Sequence, residues 1–233
     1  MWSWRVTFQN TKIAVFCGSI YYGDYILLKE PYCLKCAYPG VTKEECPWHW
    51  DDYGFERIYA MGAYLSSSTQ EGYSDLLSKH IRGLKKFPAY SIPLGLGLAE
   101  CMRNKYPELL EMDLIVPVPL FETELKESAG VKYNQSVELS KVISEEVEID
   151  YKEALAKTRE RRLMDSPRSE RKEAVVDLYK VRKRDQVDNK KILLVDDVST
   201  SGATVSECSN VLIDSGATIV NVLVAGRNMG TYY

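Results

Sequence analysis

The sequence predicts an α/β domain whose mostly parallel sheet is flanked by helices, preceded by a small cysteine-rich region. Three observations carry this prediction. Short apolar runs, such as residues 192–195 (Ile-Leu-Leu-Val), alternate with longer segments of helical period. Runs of that kind suit strands covered on both faces, as parallel sheets are. Punctuation follows them: an acidic pair after Val195 and Pro117-Val118-Pro119 after Ile115. Residues 1–56 differ, holding all four Trp and four of the six Cys with little helical period.

The chain has 233 residues, enough for one α/β domain with a sizeable core and a small appendage. We therefore divide it into a cysteine- and tryptophan-rich region, 1–56, and an α/β domain, 57–233. Hydrophobic residues make up 45%, the level of a globular chain. The net charge of −3 gives no global pull toward nucleic acid or anionic lipid. No apolar run reaches the roughly eighteen residues of a membrane span, and residues 1–10 lack the apolar stretch of a signal peptide. The expectation is a cytoplasmic protein whose cysteines are thiols or metal ligands before disulfides.

In the first region the spacing Cys33-x2-Cys36-x9-Cys46-x2-His49 forms two paired knuckles. A tight turn aims two ligands at one ion, and four such ligands satisfy tetrahedral Zn²⁺. Four protein ligands leave no open position, so the predicted zinc is structural. Cys17 is an alternative to His49 as fourth ligand. Residues 57–65 read as a strand and 66–72 as a polar turn. Ser74 caps a helix carrying Leu76, Leu77, His80, Ile81 and Leu84. His80 lies near its apolar face and reads as packing. A second helix covers 92–106. Strand 113–119 stops at Pro119, which has no N–H to give a ladder. The loop 120–130 then belongs at the sheet edge that carries the acidic pair. A helix over 134–146 presents Val137, Leu139, Val142 and Ile143. Residues 157–172 hold seven cations without a clear period and read as a mobile loop, either a solvated surface or an arginine-bearing lid. A weak strand, 174–181, leads to the buried run. Gly216 ends the helix after it, and 217–225 is a further buried strand.

The richest stretch is 190–204. A buried strand delivers Asp196 and Asp197, followed by Val198, Ser199, Thr200, Ser201, Gly202, Ala203 and Thr204, and then by a helix with Val205, Cys208, Val211 and Leu212 on one face. The carboxyl ends of parallel strands are where open α/β sheets bind ligands. Small residues let backbone amides approach a phosphate, and the helix start adds unpaired N–H groups and a positive dipole end. Carboxylates repel phosphate but accept hydrogen bonds from sugar hydroxyls or sit near a hard cation. The combination describes a ribose 5-phosphate site. A Walker loop would need Gly-Lys-Ser/Thr, which this stretch lacks.

Residues 195–204 resemble the 5-phosphoribosyl-1-pyrophosphate (PRPP) motif of type I phosphoribosyltransferases. In order along the chain, the cysteine knuckle, Leu84-Lys85-Lys86-Phe87, Pro117-Val118-Pro119, Tyr133-Asn134-Gln135, the Arg159–Arg171 loop and this motif resemble the ComF family, the competence-associated branch of those proteins. The resemblance implies a type I phosphoribosyltransferase-like core that binds PRPP with Mg²⁺. It implies that the stretch from Val198 to Thr204 binds PRPP, with the 5-phosphate on Thr200 to Thr204, and that Asp196 and Asp197 hold ribose hydroxyls and act as catalytic residues. Pyrophosphate then faces Pro119 and Leu120, with Arg159 from the basic loop. Val131-Lys132 stands where the family has Arg-Gly, which moves a pyrophosphate contact to Lys132 or Lys126. His49 stands where the family has cysteine. Three functions remain open on sequence: transfer of ribose 5-phosphate to a nitrogenous acceptor, PRPP or nucleotide binding without turnover in DNA uptake or regulation, and single-stranded nucleic acid binding. A second copy of the chain, as a homodimer, remains open as a partner.

Overall fold

The structure is a computed structural model and describes residues 25, 28, 30–38, 40–44, 46, 54–160 and 177–228, together with strand residues 7–8 and 11–12. Strands β1 (Thr7–Phe8) and β2 (Thr11–Lys12) form an antiparallel pair. The central sheet has four strands in the order β3 (Ile58–Tyr64), β10 (Ile219–Asn228), β9 (Lys191–Ser199), β4 (Leu114–Pro117). Every pairing in it is parallel. A bridge between Ile115 and Tyr151 lays one more extended segment along the β4 edge.

Alternate residues of each strand serve opposite faces, and both faces are covered. On one side Ile58, Leu114, Ile192, Leu194, Val220 and Val222 are buried with Val205, Cys208 and Leu212 of helix α5 (Ala203–Asp214). On the other, Tyr59, Ile115, Leu193, Val195 and Leu223 meet helices α2 (Leu76–Leu84), α3 (Ser91–Asn104) and α4 (Gln135–Val147). Two-sided coverage is why 192–195 reads as a continuous apolar run. The cysteines share this packing: Cys33, Cys36 and Cys46 lie in the same buried cluster as α5 and its sheet face.

Two local expectations are corrected. Helix α2 is capped by Asp75, not Ser74; the Asp75 carboxylate accepts from the Ser78 N–H at 2.7 Å. Ser74 instead closes a short helix α1 (Gln70–Ser74), its hydroxyl donating to the Gln70 carbonyl at 3.0 Å. That helix begins inside the stretch read as a polar turn, where Thr69 caps it by accepting from the Gly72 N–H at 3.0 Å. The basic stretch departs from strand β7 (Leu155–Lys157), which pairs antiparallel with β8 (Tyr179–Val181). Residues 161–176, which carry most of its cations, lie outside the described residues. Gly216 does end α5: its φ is +103°, and a Cβ there would meet the Asp188 carboxylate at 2.2 Å. His80 is half-buried against Tyr25 and Tyr90, with the Tyr25 hydroxyl 2.6 Å from its Nδ1. Burial lowers its pKa, consistent with a packing residue.

Candidate functional site

Strand β9 does not stop before the acidic pair. It continues to Ser199, because β10 continues beside it, pairing Asp196 with Val224, Val198 with Gly226 and Ser199 with Arg227. On the other side the Val118 N–H donates to the Val195 carbonyl at 2.9 Å. Asp196 and Asp197 are thus held by backbone pairing, and the loop 200–202 is a tight link to α5. Gly202 takes φ +83°, a conformation that a side chain would strain, and supplies no side-chain cap to α5. The amides of a helix's first turn have no acceptor within the helix. Asp196, Val198 and residues 199–205 line a pocket of about 290 Å³ that opens to solvent. It gathers the acidic pair's first member, the loop and the positive end of α5. Of the sequence-predicted residues, Asp196, Val198, Ser199, Thr200, Ser201, Gly202, Ala203 and Thr204 come together here.

The acids are oriented by donors from three elements. Asp196 Oδ1 accepts from the Ser136 hydroxyl at the start of α4 and from the Asp197 N–H, both at 2.9 Å. Ser136 is itself set by Asn134, which caps α4 by accepting from the Ser136 N–H at 2.9 Å and ties it to β4 by donating to the Val118 carbonyl at 2.9 Å. Asp197 Oδ1 accepts from the Val198 N–H at 2.8 Å, and Lys85 Nζ lies 3.8 Å from Asp197 Oδ2. Burial pushes the Asp196 carboxyl up to about 7, helped by the neighbouring Asp197 charge and opposed by Ser136, the Asp197 N–H and Lys85.

This has a stability consequence with a definite sign. An ordinary carboxyl in the unfolded chain releases its proton near pH 4. The folded protein keeps that proton up to about pH 7. Between those values the folded state binds more protons, so stability falls as pH rises, and the loss is complete above the folded pKa. Asp196→Asn removes the loss. Relative to wild type, the variant should gain stability progressively from pH 4 to pH 7, reaching on the order of 1–4 kcal/mol, and then level off. Thermal unfolding of both proteins across pH 4–8 measures this. A difference independent of pH would show that Asp196 is ionised throughout.

Next to this loop sit three thiols. The sulfurs of Cys33, Cys36 and Cys46 all lie within 4.8 Å of one another, and Cys36 Sγ is 3.6 Å from Cys46 Sγ. A tetrahedral zinc with Zn–S near 2.3 Å separates its sulfurs by about 3.8 Å, and a disulfide would bring them to about 2.05 Å. The spacing fits shared metal ligation. The Ala37 N–H donates to the Cys33 carbonyl and the Cys33 N–H to the Tyr38 carbonyl, each at 2.8 Å, which builds the expected turn. Burial pushes the Cys36 thiol up to about 12. A divalent cation supplies the charge that ionises such thiols. These three residues could hold a metal; His49 and Cys17 lie outside the described residues.

The residues expected on the pyrophosphate side from the sequence fall elsewhere. Pro119 and Leu120 line a second, open pocket of about 1030 Å³ with Asn134, Val137, Lys157 and Arg182. Lys132 is exposed on strand β6 (Val131–Tyr133), which pairs with β5 (Lys126–Ser128). Arg159 is also exposed, and among the described residues neither cation lines either pocket. Under this second pocket Lys157 Nζ meets both Glu124 carboxylate oxygens, at 2.6 and 2.7 Å, with side chains only 6% and 11% exposed. Removing one member of a buried pair strands the other's charge. Glu124→Gln should therefore destabilise by about 3 kcal/mol, and Glu124→Gln combined with Lys157→Met by clearly less. Chemical denaturation of the three proteins tests this, and additive losses would mean that the pair is not coupled.

Lys85, Ser136 and Arg227 carry no functional signal in the sequence. Lys85 and Lys86 look like any basic helix end, Ser136 like part of a cap, and Arg227 like the close of a buried strand. Only the Leu-Lys-Lys-Phe resemblance singled out Lys85, without saying what it meets.

No protein-family model matches the chain, and no curated protein does. Solved structures similar to it include the glutamine PRPP amidotransferase from B. subtilis complexed with ADP and GMP, at 22% identity and TM-score 0.39 over 69% of this chain and 30% of that one. They include the allosteric regulatory enzyme of purine biosynthesis, at 22% identity and TM-score 0.38 over 56% of this chain and 24% of that one. The purine phosphoribosyltransferase from Pyrococcus horikoshii Ot3 matches at 14% identity and TM-score 0.38, over 60% of this chain and 85% of that one. The chain spans less than a third of the length of the first two. These likenesses are distant and partial, and the chemistry of the site stands on this chain's own loop and sheet.

Proposed function

We propose that the chain binds PRPP and transfers its ribose 5-phosphate to a nitrogenous acceptor. One observation carries this reading: the loop at the carboxyl end of β9 wraps a pocket that has the start of α5 in its wall and Asp196 at its edge. The amides and hydroxyls from Thr200 to Thr204 suit a 5-phosphate. Asp196 and Asp197, repelled by phosphate, suit the ribose hydroxyls. As pyrophosphate leaves, positive charge develops on the sugar ring, and carboxylates held beside it act where stabilisation raises the rate. Mg²⁺, a hard cation suited to oxygen donors, would arrive with PRPP and offset pyrophosphate charge. Pro119, Leu120, Lys132 and Arg159 are the residues we assign to the pyrophosphate side. Cys33, Cys36 and Cys46 hold one structural zinc in this reading, with His49 or Cys17 as the fourth ligand. The order of motifs along the chain supports placing it among ComF-like proteins.

A second reading, PRPP or nucleotide binding without turnover, is favoured by the state of the acids. Burial and the neighbouring Asp197 charge push the Asp196 carboxyl up to about 7, so the pair carries less negative charge than two ordinary carboxylates. Calorimetric titration with PRPP and Mg²⁺, followed by product analysis with a panel of nucleobases and amines, separates the two. Binding with product supports transfer, and binding without product supports the second reading. Absence of binding to PRPP and ribose 5-phosphate alike overturns both.

A further inference from the structure

Arg227, near the end of β10, is the largest fully buried side chain among the described residues. No acidic side chain pairs with it among those residues. Two of its three nitrogens donate to backbone carbonyls from two distant parts of the chain, while NH2, also buried, meets no hydrogen-bond partner among the described residues. Nε donates to the Cys36 carbonyl at 2.7 Å. NH1 donates to the Ser199 carbonyl at 2.9 Å and also to the Thr200 carbonyl. The guanidinium also lies 5.8 Å from the centre of the Tyr38 ring, inside the cysteine turn. One rigid fork therefore joins the thiol cluster to the loop that lines the pocket.

The direction of those bonds matters. In a planar trans peptide the N–H points opposite to the C=O. Carbonyls of Ser199 and Thr200 held toward Arg227 turn the N–H groups of Thr200 and Ser201 away from it. A loop that receives an anion needs its amides fixed in advance, because ordering them at binding lowers affinity. A lysine would keep the charge but could not span the three carbonyls as the planar fork does. The far end of the strut is the Cys36 carbonyl, which belongs to the turn carrying Cys33 and Cys36, whose sulfurs and that of Cys46 could hold a metal.

We propose that Arg227 is a positioning residue that links the metal-holding turn to the phosphate loop, so that the metal held by the cysteines fixes the amide directions of Thr200 and Ser201. This rests on the reading of that loop as a phosphate cradle.

The test compares wild type with Arg227→Lys in three measurements: zinc content, calorimetric titration of ribose 5-phosphate, and amide hydrogen exchange over 199–206 before and after chelation below the unfolding temperature. We expect the variant to keep its zinc but to bind ribose 5-phosphate about ten-fold more weakly, the effect of one charged hydrogen bond lost. Exchange over 199–206 should quicken in the variant. Chelation should quicken it in wild type and add little in the variant. Wild-type affinity and exchange in Arg227→Lys would overturn the link, as would an equal response of both proteins to chelation. If wild type binds no ribose 5-phosphate, the functional reading fails, while the exchange comparison still decides whether the strut exists. If the variant does not fold, chelation of wild type decides alone: unchanged exchange over 199–206 overturns the proposal.

Discussion

Zinc removal is expected to lower the unfolding temperature of the whole domain, not to loosen the cysteine turn alone. Cys33, Cys36 and Cys46 are buried together with Ile58, Leu194, Val222, Val205 and Cys208, so the turn is part of the cover on one sheet face. The Ile58 N–H donates to the Lys35 carbonyl at 2.9 Å, which fastens the start of β3 to the same turn. A structural zinc contributes roughly 10–16 kcal/mol in finger peptides, as much as the entire net stability of a typical domain, about 5–15 kcal/mol. Protein purified without added metal should carry about one zinc per chain. Chelation, or Cys36→Ser, should lower the unfolding temperature by roughly 10 °C or more. Hydrogen exchange should show lost protection at 30–46 and in the facing residues of β3 and α5. A metal-free protein with unchanged unfolding temperature and unchanged protection would sink the assignment of these cysteines.

What the sequence makes legible here is what periodicity and spacing encode. Residues 192–195, and most of 217–225, are apolar without alternation because both sides of the sheet are covered, and they read as buried strands on that ground. The thiol cluster is legible because two ligands at a spacing of three residues force a turn. The link between β9 and α5 is legible because a run of small residues separates an apolar strand from a helical period, although the loop itself is only 200–202. What escapes is decided by partners far along the chain. Two adjacent charges read as the end of a strand, yet β9 runs through them because β10 offers pairing out to Arg227. Ser74 and Asp75 are both good caps, and the choice falls to Asp75, whose carboxylate reaches the Ser78 amide. Lys85 reaches Asp197 only through the packing of α2 on the sheet. Arg227 follows an apolar run and reads as an ending. Its burial makes sense only once the carbonyls of Cys36, Ser199 and Thr200 converge on it.

Thr204→Glu is expected to abolish ribose 5-phosphate and PRPP binding, by more than 100-fold, while leaving the fold intact. Thr204 is half-buried in the pocket wall and is the second residue of α5. A carboxylate there would sit where the phosphate is to sit and repel it. The same carboxylate lies in the first turn of a helix, where negative charge is favourable by roughly 0.3–1 kcal/mol. Loss of binding with an unfolding temperature at or above wild type is therefore the signature, and it separates blocked binding from unfolding. Thr204→Ala removes one hydroxyl and keeps every amide, so binding should weaken by only about 1 kcal/mol. Asp196→Asn and Asp197→Asn keep shape and, above pH 7 where Asp196 is ionised, lose charge. PRPP binding should change little in them, while any turnover should fall roughly 10²–10³-fold, by analogy with a lost oxyanion donor, because the carboxylates act on charge that appears only as pyrophosphate departs. Titration of the wild type and these four variants with PRPP and Mg²⁺, alongside thermal unfolding of each, measures the set. If Thr204→Glu binds as tightly as wild type, the anion does not sit at the start of α5. The acidic pair would then need a ligand other than a ribose phosphate.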